Sequence, residues 1–122
     1  MHLTSGIDMI EVARITHAIE RHGDRFLKRV YTEREIALVG SNMPSLAARW
    51  AAKEAVAKAL CTGIGDIEWL EIEVLRGPSK EPLLTLHGKA LALANQKGLT
   101  QWSISLSHTH EHAIAQVIAL AE

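Results

Sequence analysis

The chain has 122 residues and a net charge of −1, which fits one domain and argues against bulk nucleic-acid binding, where a strong basic excess is the rule. A domain of this size buries roughly two-thirds of its unfolded surface. Aromatics make up only 4%, so Leu, Ile, Val and Ala must supply most of that core, and oligomerisation could add to it. One cysteine, Cys61, excludes an intrachain disulfide and fits a reducing compartment. The opening MHLTSGIDMI lacks the regions of a secretory signal, and no apolar run approaches the roughly 20 residues of a membrane span. A soluble, cytoplasmic protein is expected.

Residues 2–10 favour a strand, with β-branched Ile7 and Ile10 and with Gly6 allowing close backbone approach. Residues 11–21 read as a helix with Val12, Ile15 and Ile19 on one stripe, stopped by Gly23. A short helical piece over 24–30 follows. Thr32-Glu-Arg-Glu35 is a capping-box pattern that starts a further helix. Gly40–Pro44 is a break, and a long helix is expected from about Ser45 to Cys61 with Gly63 as its stop. Leu70–Arg76 alternates apolar and charged residues, as a half-exposed strand would. After a turn over 77–82 come a strand over 83–87 and a helix over 88–97. Strands at 102–107 and 113–120 flank a polar turn and should form an antiparallel hairpin. The order β-ααα-ββ-α-ββ is α+β, with helices packed on a mostly antiparallel sheet. No linker or repeat divides residues 1–122.

Chemistry concentrates on the Ala-rich helix at Trp50–Ala59. Glu54 and Lys58, four residues apart, lie on one face, and Lys53 sits about a quarter turn from Glu54. A carboxylate flanked by two ammonium groups suits a metal-bound phosphate, but an ordinary i, i+4 salt bridge would look the same. Asp8 is either a helix cap or turn carboxylate, or the second ligand of such a metal. The Thr62-Gly63-Ile64-Gly65 turn could offer backbone N–H groups to phosphate, although a plain helix cap explains it better. Five basic residues against Asp24 and Glu33 between Arg21 and Arg34 give a local positive face. Arg14, Arg21, Arg25 and Lys28 share one broad helical face if the helix continues past Gly23; a solvated face is the plainer reading. His108, His110 and His112 would line up on a strand and could bind zinc, but a hairpin turn there would break the period.

The blocks GIDMIEVARI, RWAAKEAVAKAL, CTGIG and SLSHTHEHAIAQVIAL, in that order, resemble the holo-[acyl-carrier-protein] synthase type of 4′-phosphopantetheinyl transferase across essentially the whole chain. The resemblance implies an α+β, phosphopantetheinyl transferase-like fold. It implies a cytoplasmic enzyme of fatty-acid biosynthesis that moves 4′-phosphopantetheine from coenzyme A to a serine of an acidic acyl carrier protein, with Mg²⁺. By resemblance Asp8 and Glu54 are the Mg²⁺ ligands and Lys58 contacts the transferred phosphate, with Lys53 beside it. Arg49, Thr62, Gly63, Pro82 and His108 match positions that line the coenzyme A site, His108 from a neighbouring subunit. Arg14, Arg21, Arg25, Phe26 and Arg29 match carrier contacts, with an exposed Phe26 as apolar anchor in a charged rim. Family members are typically homotrimers with the site between subunits. Two departures stand out: Cys61 takes a position that is usually Gly, and Trp50 one that is usually Phe. Glu54, directly or through a water it orients, is the expected base for the serine. Two rival readings are a non-catalytic coenzyme A or nucleotide binder, and a small zinc hydrolase built on His108–His112.

Overall fold

The computed structural model describes residues Met1–Glu122. Strand β1 (His2–Glu11) leads into α1 (Val12–His22), α2 (Asp24–Val30), α3 (Glu33–Val39) and α4 (Met43–Ala59). A 3₁₀ turn at Trp69–Glu71 precedes β2 (Ile72–Arg76) and β3 (Pro82–Leu86). The chain finishes with α5 (Gly88–Gln96), β4 (Leu99–His108) and β5 (His112–Ala121). The expected α+β class holds. All four helical segments read before β2 form, and there are two sheets rather than one. The larger has the order β1-β5-β4 and the smaller is β2-β3, with antiparallel pairing between all named strands.

Helix α4 occupies the centre because it can bury almost all of its surface. Leu46, Ala47, Ala48, Ala51, Ala52, Ala55, Val56, Ala57 and Ala59 are all buried. Short alanine side chains let neighbours come close, and the charged Arg49 and Lys53 are buried with polar partners. The facing positions of β5 are equally small: Ala113, Ala115, Val117, Ala119 and Ala121 alternate inward. On β1, Gly6 is buried against α4, and a Cβ there would overlap the Ala55 carbonyl and lie 3.1 Å from the Ala59 nitrogen. Glycine is therefore required at that crossing. The outer face of the same sheet is uncovered, with Leu3, Ile7, Met9 and Ile118 all at least 41% exposed.

Several boundaries differ from expectation, each for a local reason. Helix α4 begins at Met43: the Asn42 side chain accepts from Ser45 N at 3.1 Å, and Pro44 sits in the first turn, where a missing N–H costs nothing. It ends at Ala59. Thr62 N donates to Ala57 O (3.0 Å) and Cys61 N to Lys58 O (2.9 Å), the paired bonds of a Schellman cap. Cys61, not Gly63, is thus the stop, and it holds the left-handed conformation at φ 59°. The capping box at Thr32 and Glu35 forms as expected. Strand β2 starts later than Leu70 and is not half-exposed: Ile72, Glu73 and Val74 are all buried. Glu73 survives there because the Thr32 hydroxyl donates to it at 2.6 Å, His87 lies at 3.3 Å and Arg34 at 3.7 Å. Burial pushes its carboxyl pKa up, but those partners outweigh burial and leave it below the ordinary value.

Two substitutions test these backbone demands. Gly6→Ala is expected to cost roughly 3 kcal/mol, because a rigid backbone rather than a mobile side chain must give way. Cys61→Gly should stabilise the fold by about 1 kcal/mol by removing the penalty on a left-handed residue with a Cβ. Urea titration of both variants measures these differences directly.

Candidate active site

The close crossing of β1 over α4 brings Asp8 to the helix that carries Glu54 and Lys58. Lys58 lies in the last turn of α4, and its ammonium donates to Ile7 O at 2.8 Å and to Asp8 Oδ1 at 3.1 Å. The i, i+4 pairing with Glu54 is not the bond that forms; within 4.0 Å the ion pair of Lys58 is with Asp8. The other Asp8 oxygen, Oδ2, is buried and has no hydrogen-bond partner in the chain. Glu54 has a raised pKa, from burial first and then from the Asp8 charge, partly offset by Lys58. Two carboxylates and one half-exposed ammonium therefore lie close enough to act on one another.

Such a cluster has an unmet demand for positive charge. A hard divalent cation meets it, since an orphaned carboxylate oxygen beside a second carboxylate is the donor chemistry that Mg²⁺ prefers. No third His, Cys, Asp or Glu joins to complete an all-protein cage. Mg²⁺ commonly takes its remaining ligands from water and substrate phosphates, so the two carboxylates are a sufficient protein share.

Lys53 requires a correction. It does not reach this cluster: its ammonium is fully buried and donates to Val30 O (2.7 Å), Glu35 Oε1 (2.7 Å) and Trp69 O (3.1 Å). Burial lowers its pKa, and the Glu35 carboxylate works against that. Helical spacing places Lys53 beside Glu54 but cannot show that its side of α4 is buried under α2, α3 and the 3₁₀ turn.

A second cleft of ≈ 230 Å³ lies at the other end of α4. It gathers Arg49, Pro82 and His108, three residues that the sequence nominated, within a single chain. Arg49 is itself buried, its Nε donating to Val74 O at 2.9 Å. Burial lowers its pKa, the Glu35 charge raises it and Arg76 lowers it. Arg76 and Lys80 also line this cleft and were missed by sequence reasoning, although both flank the Gly77 turn, a recognisable signal. With Arg49 they make a cationic wall suited to phosphate, and His108 adds an imidazole beside it. Thr62 and Gly63 lie elsewhere, in the cap after Lys58, where the Thr62 hydroxyl donates to Asp66 Oδ2 at 3.1 Å. Along α4, the nine residues from Arg49 to Lys58 span about 14 Å, which sets the distance between the two groups of charged residues.

The basic residues occupy two helices, because Gly23 (φ 61°) breaks α1 from α2. Arg14 and Arg21 are exposed on α1, and Arg25 and Arg29 on α2. Phe26 is half-buried rather than exposed, edge-on to Tyr31 at 6.3 Å. It still lines a small surface cleft with His22, Arg25 and Arg29. Trp50 packs on Trp69 at 5.2 Å, so the aromatic there is a packing residue. The turn at Thr109–Glu111 separates His108 on β4 from His112 on β5, and no group of three metal-ligating side chains forms there.

Comparisons with known proteins agree on one family. A family model described as the 4′-phosphopantetheinyl transferase superfamily matches residues 5–117. Holo-[acyl-carrier-protein] synthase of Herpetosiphon aurantiacus is 47% identical, covering 97% of this chain and 98% of its own. The synthase of that name from Dehalococcoides mccartyi is 49% identical, covering 96% and 98%. Among solved structures, Helicobacter pylori holo-[acyl-carrier-protein] synthase in complex with coenzyme A superposes with a TM-score of 0.86 at 34% identity, covering 95% of this chain and 99% of that one.

The crowding of Asp8 and Glu54 has a measurable sign. A raised carboxyl pKa means that the folded chain holds the proton more tightly than the unfolded one, so stability falls as pH rises above the ordinary value of 4.5. Glu54→Gln should therefore raise the melting temperature of the metal-free protein at neutral pH, and the gain should fade as pH drops below that value. Thermal melts across pH check this.

Proposed function

This chain belongs to the 4′-phosphopantetheinyl transferase superfamily, and we propose that its chemistry takes place at Asp8, Glu54 and Lys58 around one divalent cation, Mg²⁺ in the cell. The protein is an enzyme that transfers 4′-phosphopantetheine from coenzyme A to a serine of apo-acyl carrier protein, leaving adenosine 3′,5′-bisphosphate. The observation that carries the site assignment is the buried, unpartnered Asp8 Oδ2 beside a Glu54 whose ionisation it opposes.

In this reading Asp8 and Glu54 hold the cation. When bound, it polarises the reacting phosphorus and offsets pyrophosphate charge. Lys58, fixed by the Ile7 carbonyl and Asp8, keeps about half of its side chain open and presents its ammonium to the phosphoryl oxygens as charge builds in the transition state. Loss of such a contact costs on the order of 100-fold in rate. Glu54, directly or through a water it orients, is our candidate to accept the serine proton. Arg49, Arg76, Lys80 and His108 take the nucleotide's phosphate end, with Pro82 on the same wall. Thr62 and Gly63, in the cap beside Lys58, border the pantetheine end. Arg14, Arg21, Arg25, Phe26 and Arg29 receive the acidic carrier.

Residues 1–122 act as one transferase domain in this reading. The uncovered apolar face of the larger sheet supports a homotrimer, since Leu3, Ile7, Met9 and Ile118 form a patch of the kind that marks interfaces. No helix is long and apolar enough to cross a membrane, and we place the enzyme in the cytoplasm, with carrier and coenzyme A.

The test is direct. Asp8→Ala and Glu54→Ala should each reduce transfer by at least about 100-fold while the protein stays folded. The readout is the mass of the carrier after incubation with coenzyme A and Mg²⁺. Folded variants with normal turnover would sink the assignment.

A further inference from the structure

We propose that Lys53 is a positioning residue: its buried ammonium ties the carrier-docking helix α2 to the catalytic helix α4. The inference rests on the proposed function. Lys53 is adjacent to Glu54 in α4, yet its Nζ reaches the carbonyl of Val30, the last residue of α2, at 2.7 Å. No other hydrogen bond to that carbonyl is present outside regular helix and sheet pairing. The same ammonium donates to Trp69 O at 3.1 Å and pairs with Glu35 at 2.7 Å.

These bonds join elements that the reaction must keep in register. Arg29 immediately precedes Val30, and Arg29 and Trp69 both line a ≈ 240 Å³ cleft formed by α2 and the 64–69 segment. One ammonium thus ties both α2 and Trp69 to the helix that carries Glu54. Glu35 completes the anchor. Its Oε1 also accepts from Thr32 N at 2.8 Å, and its Oε2 accepts from Val74 N at 2.8 Å. The carboxylate neutralises the ammonium, while the ammonium makes the tie to α2. A carrier docked on Arg25, Phe26 and Arg29 is placed over Asp8 and Glu54 only as accurately as α2 is placed on α4. Misplacement by about 1 Å is enough to cost large factors in rate.

The ion pair and the tie can be separated by substitution. Glu35→Gln removes the charge partner and destabilises the fold by leaving a buried ammonium unpaired, so it is assayed well below its melting temperature, where Lys53 still bonds the two carbonyls. Lys53→Met with Glu35→Gln removes both buried charges, so no charge is left unpaired, and it removes the tie. Steady-state kinetics with apo-acyl carrier protein, coenzyme A and Mg²⁺ should show KM for the carrier raised roughly tenfold in the double variant, with KM for coenzyme A unchanged. Glu35→Gln alone should keep the carrier KM within about twofold of the parent. Amide hydrogen exchange should be faster in α2 of the double variant than in Glu35→Gln, with α4 still protected. A carrier KM raised equally by Glu35→Gln would overturn the proposal, as would a double variant that loses kcat with its carrier KM intact. Unchanged exchange in α2 would overturn it too. A parent protein that transfers nothing would refute the proposed function instead, while the exchange of α2 would still report on the tie.

Discussion

One close contact organises the molecule: β1 crosses α4 at Gly6 with no room for a side chain between Gly6 and the Ala55 carbonyl. The proposed site follows from that crossing. Two residues further along the strand, Asp8 has its side chain on the same face as Gly6, because strand residues alternate. One residue before Ala55, Glu54 is carried alongside. A turn later, Lys58 reaches back to the Ile7 carbonyl and so locks strand to helix. The alanines of α4 and the inward alanines of β5 serve the same end, since larger side chains would hold the sheet away.

Adjacent residues of α4 then divide the electrostatic work. Lys53 sits in a closed network, where one carboxylate, two carbonyls and the face of Tyr31 satisfy its ammonium. Breaking such a buried pair from one side typically costs about 3–5 kcal/mol, so the network holds its geometry firmly. Glu54 sits in an open one, beside an Asp8 whose buried Oδ2 has no donor. The closed network gives rigidity, and the open one leaves a carboxylate oxygen without a donor. Both hang from a helix whose Schellman cap fixes the last turn and therefore Lys58.

How much of this was legible in the sequence depended on range. The capping box at Thr32–Glu35 was readable because all of its parts lie within four residues. The start of α4 was not, because Gly40 and Pro44 read as breakers and hid the Asn42 cap. Strand β2 misled because Glu73 looks like a solvent-facing charge until Thr32, Arg34 and His87 are brought to it from elsewhere. Local pattern alone left Asp8 as a cap and Glu54–Lys58 as a salt bridge; family resemblance paired Asp8 with Glu54, and the fold places them close enough to interact. Lys53 was assigned to phosphate because spacing shows the direction a helical residue takes but not what covers it. Arg76 and Lys80 were passed over because a turn's charges look solvated until the cleft they line is seen.

The central claim is that the crossing at Gly6 makes Asp8 and Glu54 a divalent-cation site. The most direct measurement is anomalous diffraction from crystals grown with Mn²⁺ and coenzyme A. The account predicts a single strong peak within bonding distance of a carboxylate oxygen from each of Asp8 and Glu54. A peak at the His108–His112 turn instead, or none near Asp8 at full Mn²⁺ occupancy elsewhere, would contradict it.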